Sequence, residues 1–94
     1  YIYLDIMVNE NLTQEEVRRG ITAAFDSVGL INGIISGAQM NGESIQEKKD
    51  TIDRNVSHLE IMIGKSWFND GLVSGEADQI TDAVTAGNGF ITAN

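Results

Sequence analysis

The sequence predicts an α+β domain that is mostly helical, and three observations carry that prediction. The first eight residues alternate between apolar and other side chains, two helix-capping signals precede apolar residues at helical spacing, and a turn separates the last two helical patterns. The predicted order is a strand, a helix, a glycine-rich segment and a C-terminal αα-hairpin. The 94 residues suit one small domain, with the first three elements in residues 1–43 and the hairpin in residues 44–94.

The strand prediction rests on the first eight residues, which read YIYLDIMV. Branched apolar residues occupy every second position, and these are Ile2, Leu4, Ile6 and Val8. A period of two in a stretch rich in branched and aromatic residues is typical of a strand. The polar stretch NEN follows and ends the pattern.

The first helix is predicted from about residue 14 to residue 28. Thr13 and Glu16 have the spacing of a capping box, in which two side chains satisfy backbone N–H groups at the helix start. Apolar residues then recur at steps of four, three and four residues, at Val17, Ile21, Ala24 and Val28. This spacing places them on one helical face, and Gly29 fits the position just after a helix end.

The segment over residues 29–43 is ambiguous because it is rich in glycine. Its glycines are Gly29, Gly33, Gly37 and Gly42. As a helix, the segment would contain two overlapping G-x-x-x-G steps. We favour a short strand pair or a loop instead, because each glycine inside a helix costs about 1 kcal/mol relative to alanine.

The last two helices are predicted to form an αα-hairpin, residues 45–66 against residues 75–92. Ser44 and Glu47 form a second capping box, Asn-Asp-Gly at residues 69–71 is a turn signal, and Ser74 is the predicted N-cap of the last helix. The apolar stripe of the first helix comprises Ile45, Ile52, Val56, Leu59 and Ile63, and that of the second comprises Ala77, Ile80, Val84, Gly87 and Ile91.

The charge pattern argues against nucleic-acid and membrane partners. The chain has 14 acidic and 6 basic residues and a net charge of −8, and its basic residues form no stripe that could neutralise phosphates. No apolar run approaches the ~20 residues of a membrane span. There is no cysteine for a disulfide or a thiolate metal site. We therefore predict neither direct nucleic-acid binding nor membrane insertion.

The residues that could carry chemistry do not form a set. His58 is the only histidine, and at about 100° per residue it projects to the polar face of its helix, whereas Trp67 lies at the apolar edge. Asp50 and Asp53 are close enough in sequence to hold Mg²⁺ or Ca²⁺, but the interleaved basic residues favour a solvated face. We predict no catalytic residue, no cofactor and no metal site.

Four apolar residues are interface candidates, and these are Ile61, Met62, Trp67 and Phe68. Ile61 lies about 160° from the main stripe, and Met62 widens the apolar surface on the other flank. Apolar residues outside the main stripe indicate a second neighbour, which is either the strand and first helix or another subunit. The two aromatic residues lie beside the turn, where they either close the end of the hairpin core or anchor an interface.

Residues 51–94 contain the stretches IDRNVSHLEIMIGKSWF and ITDAVTAGNGFITAN. Their recurring elements are Arg54-Asn55, the run from His58 to Met62, Ala86-Gly87-Asn88 and Phe90-Ile91. This part of the chain resembles the tails of short proteins encoded by tailed bacteriophages. The resemblance implies a phage-encoded origin and no residue-level function.

These observations predict a non-enzymatic structural or interaction protein, a minor virion or assembly component of a tailed bacteriophage found in the virion or the host cytoplasm. The predicted partners are further copies of the chain or other virion proteins. The alternative is a small acidic phage-encoded regulator that binds a host protein, since an acidic surface suits a basic partner. An enzyme or metal-binding domain centred on His58 and the Asp50/Asp53 pair is the least favoured hypothesis.

Overall fold

A computed structural model describes residues 12–94 of the protein. This part of the chain forms four helices, α1 (Gln14–Ser36), α2 (Ile45–Ile63), α3 (Ser66–Gly71) and α4 (Glu76–Ala93). The three long helices each pack against the other two, and the short α3 packs against α1 and α2. The predicted packing of helix 45–66 on helix 75–92 is therefore present as α2 on α4, but α1 completes a bundle around them.

The prediction of an α+β fold is wrong. Residues 12–94 contain helices and connections but no strand, so the described fold is all-helical. The predicted strand over residues 1–8 lies outside the described residues. The predicted two-helix hairpin is also incomplete, because α3 lies between its two arms and α1 packs on both.

Within the described residues, the prediction for the glycine-rich segment, residues 29–43, differs most from the structure. Residues 29–36 continue α1, and Gly29 lies inside the helix instead of ending it. Ile31 and Ile34 are buried at 0% and 2% exposure, and burying one such side chain contributes about 1.5–3 kcal/mol. That gain exceeds the helix penalty of about 1 kcal/mol for each interior glycine, so tertiary burial decides the conformation.

Helix α1 ends where a left-handed residue is required. Gly37 has a φ of +86° and donates its backbone N–H to the Ile34 carbonyl, and a glycine adopts this conformation without a Cβ clash. The loop prediction therefore holds only for the residues that follow, up to Ser44. Within that loop Met40 has a φ of +56°, which is uncommon for a residue with a side chain.

The core lies between the three long helices and beneath α3. Its fully buried large side chains are Phe68, Ile21, Ile31, Ile52, Leu59 and Ile80. The stripe predicted for α2 is buried at Ile52, Val56 and Leu59, whereas Ile45 and Ile63, the first and last residues of the helix, remain 47% and 37% exposed. Met62 is buried as well, because α2 faces both α1 and α4 and two neighbours widen the buried face of a helix.

The first predicted capping box is confirmed. Thr13 Oγ1 accepts the Glu16 backbone N–H at 3.1 Å, and Glu16 Oε1 accepts the Thr13 backbone N–H at 3.0 Å. At the second helix, Ser44 Oγ accepts the Glu47 N–H at 3.1 Å, but the predicted box is incomplete, because Glu47 Oε1 accepts the Ser44 hydroxyl at 3.0 Å instead of the Ser44 backbone N–H. Both helices therefore begin where the sequence predicts, because capping depends on residues only three positions apart.

The start of the last helix differs from the prediction. Gly75, not Ser74, is the N-cap of α4, with a φ of +89° and no side-chain cap bond. Glu76 instead accepts the Val73 backbone N–H at 2.7 Å. The Asn-Asp-Gly sequence at residues 69–71 forms the end of α3 instead of a tight turn.

The capping box of α1 makes a pH-dependent contribution to stability. The backbone hydrogen bond from Thr13 is the main cause that lowers the pKa of Glu16 below its usual value of 4.5. A lowered folded-state pKa stabilises the protein above the unfolded-state value, and this contribution is lost as the pH falls through the folded-state pKa. We expect Glu16→Gln to lower the free energy of unfolding at neutral pH, and we expect its difference from the wild type to shrink as the pH falls through the folded-state pKa of Glu16.

Urea denaturation of wild type and Glu16→Gln at several pH values checks this expectation. Glu15→Gln is the matched control, because Glu15 has the same charge one residue away but makes no cap bond. A difference in the free energy of unfolding between wild type and Glu16→Gln that stays constant as the pH falls from neutral into the acidic range would contradict the assignment.

Candidate functional site

The most distinctive surface feature is built around Trp67 on α3. This helix of 6 residues is held to the bundle by Phe68, whose side chain is 0% exposed. The two aromatic rings meet edge to face, with centroids 6.1 Å apart and planes at 84°. Burial of Phe68 therefore leaves the adjacent Trp67 half-buried at the edge of the core.

Two glycines allow α3 to approach α1 closely. A Cβ placed on Gly20 of α1 would lie 2.9 Å from Cη2 of Trp67, which is too close for a real contact. A Cβ on Gly71 of α3 would lie 2.6 Å from Cγ1 of Val17. The indole therefore lies over Gly20, and α3 rests on the first half of α1.

An open groove of about 710 Å³ lies between the start of α1 and α3. Its lining residues are Leu12, Gln14, Glu15, Val17, Arg18, Trp67, Asp70 and Gly71. The apolar members line it together with one basic and two acidic side chains. A concave site that combines an aromatic residue with a few polar groups is a typical binding site.

The charged residues of the groove are not equivalent. Glu15 pairs with Arg19 one turn further along α1, and both side chains are 73% exposed, so this pair is weak in water. Arg18 and Asp70 form no ion pair within residues 12–94. These two side chains are therefore the groove charges that a bound molecule could pair with.

The indole of Trp67 has a hydrogen-bond donor that no residue of 12–94 uses. Its Nε1 atom is buried and has no acceptor among the described residues. A buried donor without a partner costs about 1–3 kcal/mol.

The four interface candidates have different surroundings. Ile61 is 62% exposed, whereas Met62 and Phe68 are buried in the core at 8% and 0% exposure. Trp67 is half-buried and lines the groove. In this fold Ile61 and Trp67 are therefore accessible to a partner, and Met62 and Phe68 instead support the surface from beneath.

The structure does not bring His58 and the aspartates together as a site. His58 is half-buried on α2, and Asp50 accepts a hydrogen bond from Gln46 Nε2 at 2.9 Å. Arg54, which could pair with Asp50 by spacing, donates instead to Thr51 Oγ1 at 3.3 Å. Within residues 12–94, no group of three or more His, Cys, Asp or Glu side chains could hold a metal ion.

Sequence reasoning missed the α1 side of the groove. Val17 belongs to the predicted apolar stripe and Arg18 to no predicted site, and nothing in the sequence pattern placed either residue beside Trp67. The available signals were Gly20 and Gly71, since a glycine inside a helical pattern can mark a close approach of two elements. Neither glycine identifies which element approaches it.

Comparison of the chain with protein-family models, with curated proteins and with solved structures finds no match. The resemblance of residues 51–94 to bacteriophage proteins therefore stays a prediction. Among the helices of residues 12–94, none is both long and apolar enough to span a membrane.

Proposed function

We propose that the chain is a non-enzymatic structural or interaction protein that binds another protein through the groove at Trp67. The groove itself is the observation that supports this proposal, because it is open, has a volume of about 710 Å³ and presents a tryptophan. Tryptophan is enriched among the residues that dominate protein–protein binding energy.

The net charge of the chain indicates which kind of protein the groove would bind. The net charge is −8, and residues 66–94 contain Asp70, Glu76, Asp78 and Asp82 but no lysine or arginine. Two copies of such a chain repel each other, whereas a basic surface is attracted. The proposed occupant is therefore a different protein that places an aliphatic side chain against Trp67 and a lysine or arginine near Asp70.

The proposed setting is a tailed bacteriophage, in which the chain is a minor virion or assembly component. This part of the proposal rests on the resemblance of residues 51–94. A regulator that binds a host protein is the second candidate, and the excess of acidic residues over residues 66–94 favours it. Co-purification with assembled particles supports the virion role, and its absence from particles favours the regulator.

Binding at the groove is testable by fluorescence because Trp67 is the only tryptophan in the chain. The probe is a short peptide of alternating leucine and lysine, and its counterpart of alternating leucine and glutamate is the control peptide. We expect saturable quenching or a spectral shift with the basic peptide only, because its charge is complementary to the chain. The binding should weaken as ionic strength rises.

Two variants with the same charge change locate the binding. Asp70→Asn removes a carboxylate from the groove, and Asp82→Asn removes one from the surface between α1 and α4. We expect Asp70→Asn to weaken binding by up to about fivefold, since an exposed ion pair contributes up to about 1 kcal/mol. Equal effects of the two variants would show that the peptide responds to net charge and not to the groove.

Light scattering of the purified protein over a range of concentrations tests the choice of partner. A monomer throughout the series agrees with a groove that binds a different protein. A discrete oligomer would agree with a structural role but would indicate that a second copy of the chain, and not a different protein, occupies the groove. In that case Ile61→Asp and Arg18→Gln would show whether the exposed isoleucine or the groove forms the contact.

A further inference from the structure

The chain contains three Asn-Gly pairs in different backbone environments. These are Asn32-Gly33, Asn41-Gly42 and Asn88-Gly89. The first lies inside α1 and the third inside α4, whereas Asn41-Gly42 lies in the connection between α1 and α2. All three asparagine side chains are exposed, so the backbone is the main difference between them.

We propose that Asn41 is a site of spontaneous deamidation, which places a new carboxylate in the connection between α1 and α2. This inference is independent of the proposed function.

The reaction needs only the chain and water. The backbone nitrogen of Gly42 attacks Cγ of the Asn41 side chain, so that a new C–N bond forms, the Cγ–Nδ2 bond breaks and ammonia leaves. The product is a five-membered succinimide ring. One water molecule then opens the ring at either carbonyl and gives aspartate or isoaspartate, without oxidation or reduction.

The loop at Asn41 leaves the attacking nitrogen free to react. The backbone N–H of Glu43 donates to the Met40 carbonyl at 3.1 Å, whereas the N–H of Gly42 donates to no residue within residues 12–94. Gly42 has open space around its Cα, and a glycine rotates through conformations that other residues avoid. Ring closure at Asn41 therefore uses an N–H that is not hydrogen-bonded within residues 12–94.

The other two pairs are protected by their helices. An N–H inside an α-helix donates to the carbonyl four residues earlier, and ring closure would remove that N–H and disrupt the turn. Gly33 lies within α1, which ends at Ser36, and Gly89 lies within α4, which ends at Ala93. Both glycines lie near the ends of their helices, where local opening costs less free energy than in the interior. They still require that opening before ring closure, whereas Gly42 does not.

The new charge would fall in an acidic neighbourhood. Glu43 and Glu47 already interact, and the hydrogen bond with Glu47 raises the pKa of Glu43. Deamidation adds one negative charge to a chain whose net charge is −8. An isoaspartate also lengthens the backbone of the connection by one carbon atom.

The test is incubation of the full chain at mildly alkaline pH, followed by peptide mapping with mass spectrometry and chromatographic separation of isoaspartate peptides. We expect Asn41 to convert at least about tenfold faster than Asn32 or Asn88, which corresponds to about 1.4 kcal/mol of local opening. In urea the three rates should converge, because the sequence pair is the same at each position.

Two variants complete the test. Gly42→Ala should slow conversion at position 41 without changing the rate at Asn88, since an added Cβ hinders ring closure and leaves α4 untouched. Asn41→Asp should reproduce the charge of the product in the folded protein. Conversion of Asn32 or Asn88 as fast as that of Asn41 in the folded chain would overturn the proposal, and so would an Asn41 that reacts only in urea.

Discussion

Replacing Phe68 with alanine should lower the free energy of unfolding by about 3–5 kcal/mol. Phe68 is 0% exposed, is the one buried residue of α3 and belongs to the core shared by the long helices. Its removal leaves a cavity and also releases α3 from the bundle. Since a domain of this size has about 5–15 kcal/mol of stability in total, the loss is a large share and is measurable by urea denaturation followed by circular dichroism.

The fluorescence of Trp67 separates the global effect from the local one. With Phe68→Ala the indole should become more exposed at urea concentrations where the helices are still folded, because α3 detaches first. Phe68→Leu is the control and should cost clearly less, since leucine refills most of the cavity. A loss below about 1 kcal/mol for Phe68→Ala would contradict the role assigned to this side chain.

Adding a single methyl group at Gly87 should destabilise the bundle. A Cβ at this position would lie 2.6 Å from Cγ2 of Val56 and 3.0 Å from Cγ2 of Ile52. Both neighbours are branched at Cβ and have few alternative rotamers, so the helices must separate. Overpacking of this kind costs about 1–3 kcal/mol, which outweighs the gain of about 1 kcal/mol in helix propensity.

The same substitution at Gly89 is the matched control. Gly89 lies on the same helix, and nothing lies within 4 Å of the Cβ that alanine would add there. We expect Gly89→Ala to raise the free energy of unfolding by up to about 1 kcal/mol and Gly87→Ala to lower it. If the two variants were equally stabilising in urea denaturation, α2 and α4 would not approach each other as closely as described.

Local sequence information predicted the starts of two helices correctly. The caps at Thr13 and Ser44 lie where the capping boxes indicate, because each box involves residues three positions apart and needs no tertiary contact. The apolar stripes were also largely correct, since Ile21, Ala24 and Val28 are all buried. Such periodicity predicts which face is buried but not which helix covers it.

The errors arose where a local penalty competed with distant contacts. Gly29 and Gly33 predicted a break, but Ile31 and Ile34 gain more by burial against other helices than the glycines cost. The predicted turn at residues 69–71 was wrong for a similar reason, because burial of Phe68 favours one more helical segment over a tight turn. Neither gain can be estimated without knowing the neighbouring element.

By itself the sequence determined the acidic charge, the start of two helices and most of the buried apolar positions. Only the tertiary structure decided that α1 extends to Ser36, that α3 exists and that Trp67 faces the start of α1 across a groove. The physical reason is the separation along the chain over which each interaction acts. Capping and periodicity act between residues a few positions apart, whereas the groove depends on packing between Gly20 and Trp67, which are far apart in the chain but in contact in the fold.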